Sequence, residues 1–164
     1  MKILVLSDTH GDTAVIELLL AREKPDALIH LGDCSGDVQY ALICCDPALC
    51  EGVKLFQVCG NCDGYTQLPA ELEAEIGGKR FFLLHGHTRD VKNGDAALLS
   101  AARAREVEII LYGHTHVARN EEKDGVRIVN PGSARRRTIF GRNATYAVLA
   151  VQGETVTAEI KPVL

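Results

Sequence analysis

Hydrophobic positions in this chain come in short runs, and each run stops at a polar cluster. Lys2–Leu6, Ala27–Leu31, Val53–Val58, Lys79–Leu84 and Val107–Tyr112 are largely apolar, the pattern of strands buried on both faces. They end at Ser7-Asp8-Thr9-His10, Gly32-Asp33, Gly60-Asn61-Cys62-Asp63, His85-Gly86-His87 and Gly113-His114-Thr115-His116. Thr13–Arg22 sets Val15, Leu18, Leu19 and Arg22 at helical spacing, with Asp12 as the expected N-cap. A second helix is expected over Asp37–Leu49, its end limited by Pro47. A third is expected over Gly94–Arg105, whose basic last turn suits the helix dipole. Elsewhere the period changes. Leu72–Ile76 alternates strictly and leads into Gly77-Gly78, a hairpin signal. Val117–Glu122 and Val126–Val129 flank Asp124-Gly125, and Thr145–Val151 and Thr155–Ile160 flank Gln152-Gly153.

The leading polar residues Asp8, Asp33, Asn61, His85 and His114 are spaced by 25, 28, 24 and 29 residues. The first two intervals are about one strand–helix–strand unit, roughly 30 residues. In an α/β sheet the carboxyl ends of successive strands share one edge, where ligands bind. The five clusters are therefore expected to converge. With no repeat, low-complexity tract or linker, residues 1–164 are expected to form one domain.

Charge and composition narrow the partners. A net charge of -4 gives no general attraction to nucleic acid or anionic lipid. No apolar stretch approaches the roughly 20 residues that span a membrane. Met1–Leu6 runs into Ser7-Asp8 without a small-residue cleavage site, so it is read as a strand and the chain is expected to be cytoplasmic. The six cysteines are accordingly expected to be reduced thiols. Cys44, Cys45 and Cys50 stand in an apolar stretch and are read as core. His30, inside an apolar run, is read as a structural histidine.

The convergent side chains are Asp8, His10, Asp33, Asn61, His85, His114 and His116. Two carboxylates, one amide and four imidazoles are too many ligands for one zinc, which takes four. They suit two five- or six-coordinate ions sharing a carboxylate. Mixed N/O ligation without thiolate points to manganese first, or to iron, cobalt, nickel or zinc, and away from calcium. Two ions about 3.5–4 Å apart turn a shared water into hydroxide at neutral pH and clamp phosphoryl oxygens during in-line displacement. Cys59-Gly60-Asn61-Cys62 is formally a C-x-x-C. A redox pair would want a helix start and an electropositive setting, whereas this stretch lies between metal-type residues. His87 is expected to face the same cavity as His85. Asp63 or Asp12 could be the outer partner that a histidine ligand needs. Arg135-Arg136-Arg137, with Arg142, is either a solvated loop or a source of one arginine to a phosphate. The cluster is too small for duplex binding.

Asp8-x-His10, Gly32-Asp33, Gly60-Asn61-x-Asp63, His85 and Gly113-His114-x-His116 resemble the ordered motif set of the calcineurin-like metallophosphoesterases. The Gly60–Asp63 motif, the small size and Asn130-Pro131-Gly132-Ser133 resemble its small phosphodiesterase branch, often called YfcE-like. The resemblance implies a four-layer α-β-β-α sandwich of two mixed sheets flanked by helices. It implies one metal held by Asp8, His10, Asp33 and His116, and another by Asp33, Asn61, His85 and His114, with Asn61 also touching the substrate phosphate. Cys62 departs from the larger members, which carry histidine there to assist the leaving group. The expected activity is hydrolysis of small phosphodiesters with good leaving groups. General-acid help from Cys62 is then reduced, or comes from elsewhere, such as His87. Arg135 is the substrate-contact candidate among the arginines, and a homodimer is expected. A phosphomonoesterase, or a metal-binding scaffold for protein partners like the retromer subunit of this fold, are the alternatives.

Overall fold

The computed structural model describes residues 1–136 and 143–164. The five apolar runs all form strands: β1 (Lys2–Leu6), β2 (Ala27–His30), β3 (Lys54–Gln57), β5 (Lys79–Leu84) and β6 (Ile109–Tyr112). The alternating segment is β4 (Glu71–Ile76), and the later hairpins are β7 (Arg119–Lys123) with β8 (Val126–Asn130), and β9 (Thr145–Gln152) with β10 (Thr155–Pro162). Three helices, α1 (Thr13–Glu23), α2 (Gly36–Cys44) and α3 (Ala96–Arg105), complete the described residues' longer elements.

The strands form two mixed five-stranded sheets, ordered β10-β9-β1-β2-β3 and β4-β5-β6-β8-β7. In the first, β1, β2 and β3 are parallel. In the second, β5, β6 and β8 are. Alternation along each strand separates three cores. Ile3 and Val5 of β1 meet Phe81 and Leu83 of β5 between the sheets. Leu4 and Leu6 turn outward to Ile16, Leu19 and Leu20 of α1. Phe82 and Leu84 turn the other way, to Leu98 and Leu99 of α3. Helix, sheet, sheet and helix are thus the four layers. No helix among the described residues is long and apolar enough to cross a membrane.

Three expectations are corrected. The second helix does not run to Leu49. It ends at Cys44, Cys45 is extended at φ -77° and ψ 166°, and a 3-10 turn, Pro47–Leu49, follows. The residue before proline is pushed out of helical geometry, and the Asp46 carboxylate accepts from the Ala48 N–H at 3.0 Å to start the new turn. Asp12 occupies the N-cap position of α1 without capping it; its carboxylate is taken by Arg136. Of the three cysteines read as core, only Cys45 is buried, because Cys44 turns outward on α2. All six thiols are free.

Candidate metal centre

Five loops leave the carboxyl ends of parallel strands and meet where the two sheets face each other. Asp8 and His10 follow β1, Asp33 follows β2, Asn61 follows β3, His85 follows β5, and His114 and His116 follow β6. Asp8, Asp33 and His85 are buried. Ligand atoms of Asp8, His10, Asp33 and His116 all lie within 4.8 Å of one another. His116 Nε2 is 3.0 Å from Asp8 Oδ1, and His10 Nε2 is 3.7 Å from Asp33 Oδ2. On the other side of the carboxylates, His85 Nε2 is 3.4 Å from Asp33 Oδ1. The His114 ring centre lies 5.0 Å from that of His85. Asp33 therefore turns one oxygen to each group of imidazoles.

The backbone around the carboxylates is built to hold them. Asp8 Oδ2 accepts from Ser7 Oγ at 2.5 Å and from the His114 N–H at 3.1 Å. Asp33 Oδ1 accepts from the Cys62 N–H at 2.8 Å. Asp63 supports no histidine, contrary to expectation. Its Oδ2 accepts from the N–H groups of Gly60 (2.6 Å) and Asp33 (3.0 Å), and its Oδ1 from Ser35 N–H (2.5 Å) and Oγ (2.9 Å). One carboxylate thus clamps the β2 and β3 loops together. Glycine at 60 is needed because a Cβ there would lie 2.5 Å from the Asp33 backbone nitrogen. Asp12 likewise is no outer partner of a histidine.

His85 finds its partner in a backbone carbonyl. Its Nδ1 lies 2.7 Å from Leu31 O, which can only accept, so Nδ1 carries the proton and the Nε2 lone pair faces Asp33 and Asp8. His85 Nε2 and Asp8 Oδ1 are both buried without a hydrogen-bond partner among the described residues. Buried polar atoms are rarely left so. A lone pair turned toward carboxylate oxygens is unfavourable unless a cation or proton lies between them. The site therefore fits a bound cation, and the mixed carboxylate and imidazole donors suit a divalent transition ion. Electrostatics agree. Against the cost of burial, Asp33 and Asp8 push His85 upward from the usual imidazole range, while the nearby His85 ring and the Cys62 N–H hold Asp33 well below the usual carboxylate range. Burial and the nearness of His85 pull His114 and His87 downward, favouring neutral imidazoles.

His30 has the structural role expected. The Gly32 N–H donates to its Nδ1 (3.3 Å), so Nε2–H donates to Thr9 Oγ1 (3.2 Å), which donates to Asp37 Oδ2 (2.7 Å). Burial pulls it down to about 4, so the ring is neutral. Asp37 Oδ2 also accepts from the Gly11 N–H at 2.8 Å. The network braces His10 from both neighbours.

Above these residues lies a cleft of about 570 Å³, lined in part by Asn61, Cys62, Lys92 and Thr115. Asn61 and Cys62 are exposed at its rim, and Asn61 Nδ2 donates to Cys62 Sγ at 3.3 Å. His87 packs beside His85 with the rings tilted, 5.4 Å between centres, and its buried Nδ1 has no hydrogen-bond partner among the described residues. Arg135 does not line this cleft. It lines a second cavity, which shares His10 with the first. Arg137 and Arg142 lie outside the described residues. Sequence reasoning missed Lys92, for which no local signal exists, and the role of Asn130-Pro131-Gly132-Ser133. Asn130 Nδ2 donates to Gly113 O (2.9 Å) and Thr115 Oγ1 (3.1 Å), which shapes the histidine loop. Ser133 Oγ donates to Asp8 O at 2.8 Å.

The calcineurin-like phosphoesterase superfamily domain matches residues 1–154. The probable metallophosphoesterase YsnB of Bacillus subtilis is 28% identical over 159 residues, 96% of this chain and 88% of that protein. A phosphodiesterase of Methanocaldococcus jannaschii is 28% identical, over 80% of this chain and 83% of its own. The crystal structure of a predicted phosphoesterase from Streptococcus pneumoniae superposes with a TM-score of 0.76 at 30% identity, covering 99% of this chain and 89% of that one.

Proposed function

Because the chain belongs to the calcineurin-like phosphoesterase superfamily, we propose that it is a phosphodiesterase using two divalent metal ions that share Asp33. Asp8, His10, Asp33 and His116 would hold one ion; Asp33, Asn61, His85 and His114 would hold the other. The observation that carries this reading is the pair of buried, unpartnered atoms, Asp8 Oδ1 and His85 Nε2, among these donors. The two faces of Asp33, 3.7 Å from His10 and 3.4 Å from His85, support the sharing. When bound, such ions supply Lewis acidity toward phosphoryl oxygens and toward the attacking water. Manganese is the first choice.

The chain's own residues set the rest. Asp8 and Asp33 are fixed by backbone N–H groups, so little reorganisation accompanies the reaction. Asn61 stands at the rim, where its amide can meet a substrate phosphate. Cys62 occupies the place of the leaving-group histidine, and its thiol is a weak hydrogen-bond donor. Partial desolvation, and then Asp33, push that thiol up to about 11. His87 is the remaining candidate for proton delivery. Departure without strong protonation favours diesters with good leaving groups over monoesters.

Bis(p-nitrophenyl) phosphate and p-nitrophenyl phosphate, compared at matched manganese, test the assignment. The diester should turn over faster; faster monoester turnover would sink it. Asp33→Asn and His114→Ala should each abolish turnover while the circular dichroism spectrum persists. A wild-type protein that binds two ions yet hydrolyses no phosphoester would favour the scaffold reading.

A further inference from the structure

The second cavity, of about 590 Å³, is lined by His10, Gly11, Asp12, Arg135, Arg136 and Leu164. His10 belongs to its wall and to that of the cleft, so the two spaces adjoin across one imidazole. In a chain of net charge -4, two arginines in one cavity wall are a local exception.

The arginines are not equivalent. Arg136 forks onto Asp12, with Nη2 at 2.6 Å from Oδ1 and Nε at 3.0 Å from Oδ2, and its N–H donates to Oδ2 at 3.0 Å. Asp12 is thereby neutralised and cannot repel an incoming anion. The Arg135 guanidinium makes no ion pair among the described residues, and the Asp12 carboxylate is taken by Arg136. Its backbone is anchored: the Arg135 N–H donates to Ser133 Oγ at 3.3 Å, and that hydroxyl donates to Asp8 O at 2.8 Å. Arg135, half-buried and without an ion-pair partner among the described residues, thus has its backbone tied through two hydrogen bonds to the loop that carries Asp8.

We propose that this cavity is a subsite for a second phosphoryl group, borne on one alcohol of the diester, with Arg135 as its fork. The proposal rests on the phosphodiesterase reading of the adjoining cleft. A phosphodiester carries two alcohol substituents. With its phosphorus at the ligand cluster, one substituent can stay in the cleft beside Lys92 and Asn61. The other can cross His10 into the second cavity. Guanidinium presents paired N–H groups that match phosphate oxygens, which makes it selective for an anion over a neutral sugar or aryl group. The substrate class is then a diester whose alcohol also carries a phosphomonoester.

The test uses two substrates on the metal-loaded protein: the p-nitrophenyl ester of thymidine 5′-phosphate, and the same ester with a 3′-phosphate. Wild type should prefer the second by about tenfold in kcat/KM, mostly through KM. Arg135→Ala should bring the ratio near one, and Arg135→Lys should keep part of it. Because the readout is a ratio within one variant, a general loss of folding or metal cancels. A wild-type ratio near one, or an unchanged ratio in Arg135→Ala, would overturn the subsite. If neither ester is hydrolysed, the phosphodiesterase reading has failed, and equilibrium titration still decides the subsite. Thymidine 3′,5′-bisphosphate should bind more tightly than thymidine 5′-phosphate in wild type only. Equal binding, or equal loss in Arg135→Ala, overturns it.

Discussion

Gly60→Ala is a one-methyl probe of the clamp under Asp33. A Cβ on residue 60 would come 2.5 Å from the Asp33 backbone nitrogen and 3.0 Å from its Cγ, and closer still to Oδ1. Ordinary contact begins near 3.4 Å, so the two loops must part by roughly 1 Å, which forfeits the dispersion contacts and costs repulsion. The backbone is not free to part. Asp63 Oδ2 bonds both Gly60 N–H and Asp33 N–H, so any separation stretches at least one charge-assisted bond. Overpacking of this kind costs about 1–3 kcal/mol, and weakening such a bond about 1.5–3 kcal/mol. The sum is an upper bound, since relaxation relieves one at the expense of the other, and ~2–4 kcal/mol is expected. At about 2–4 °C per kcal/mol for a chain of this size, Tm should fall by roughly 4–16 °C. Because Asp33 would share both ions, manganese affinity and diester turnover should fall together. Thermal melts with and without chelator, and a manganese titration, measure the two parts. A variant that melts within a degree of wild type with unchanged affinity would refute the clamp argument.

Two other outcomes follow from the structure. Glu23, buried at the end of α1, is held down at about 2 by Lys2, Tyr146 and Lys161 in spite of burial. Its pKa is depressed below 4.5, so its contribution is present above pH 5 and is lost as pH falls toward 2; it amounts to ~1–3 kcal/mol after allowance for the half-exposed Lys2. Urea midpoints of wild type and Glu23→Gln should therefore differ at pH 7 and converge as pH drops to 3, and a gap that widens would count against the network. His116 sits at φ 56°, a left-handed conformation that costs an L-residue about 1 kcal/mol and glycine almost nothing. In chelator-treated protein His116→Gly should be more stable than His116→Ala by roughly 0.5 kcal/mol after the entropy of the unfolded glycine is subtracted; the opposite order in urea denaturation would show that the loop is not strained.

Most of the frame was legible because its signals are local. A buried strand announces itself by an apolar run, and its end by the first polar residue, so β1, β2, β3, β5 and β6 could be read within one or two residues. The candidate ligands sit at those same ends. Helix limits were legible at the ends of α1 and α3 but not of α2; Pro47 displaced Asp46 as well, and the second helix stopped early. The supports of the site were hidden because their partners are distant in sequence. Asp63 acts on residues about 30 positions away, Ser133 on Asp8 across 125, and His85 on Leu31 across 54. No periodicity connects such pairs.

The same distance explains the backbone of the ligand loops. Asp8, His10, Asp33, His114 and His116 all have φ between 45° and 67°, a region that non-glycine residues adopt rarely and at a cost of about 1 kcal/mol or more each. Local sequence would not choose it, since none of the five is glycine. It persists because each loop is tied from outside: Asp8 N–H to Gly32 O, Gly113 N–H to His85 O, Asn130 to Gly113 O, and Asp63 to the N–H of Asp33. A left-handed residue at a strand end reverses the chain sharply, so the side chain can point back over the sheet edge. Five such residues, in three loops from the two sheets, bring carboxylates and imidazoles to one point, and the cost is met by these bonds within each sheet and by two that link the sheets, His114 N–H to Asp8 Oδ2 and His85 Nδ1–H to Leu31 O. Among the described residues, the buried side-chain polar atoms left over after those bonds form are Asp8 Oδ1 and His85 Nε2 at the centre and His87 Nδ1 beside His85. That distribution is what separates a built ligand site from a merely polar strand end.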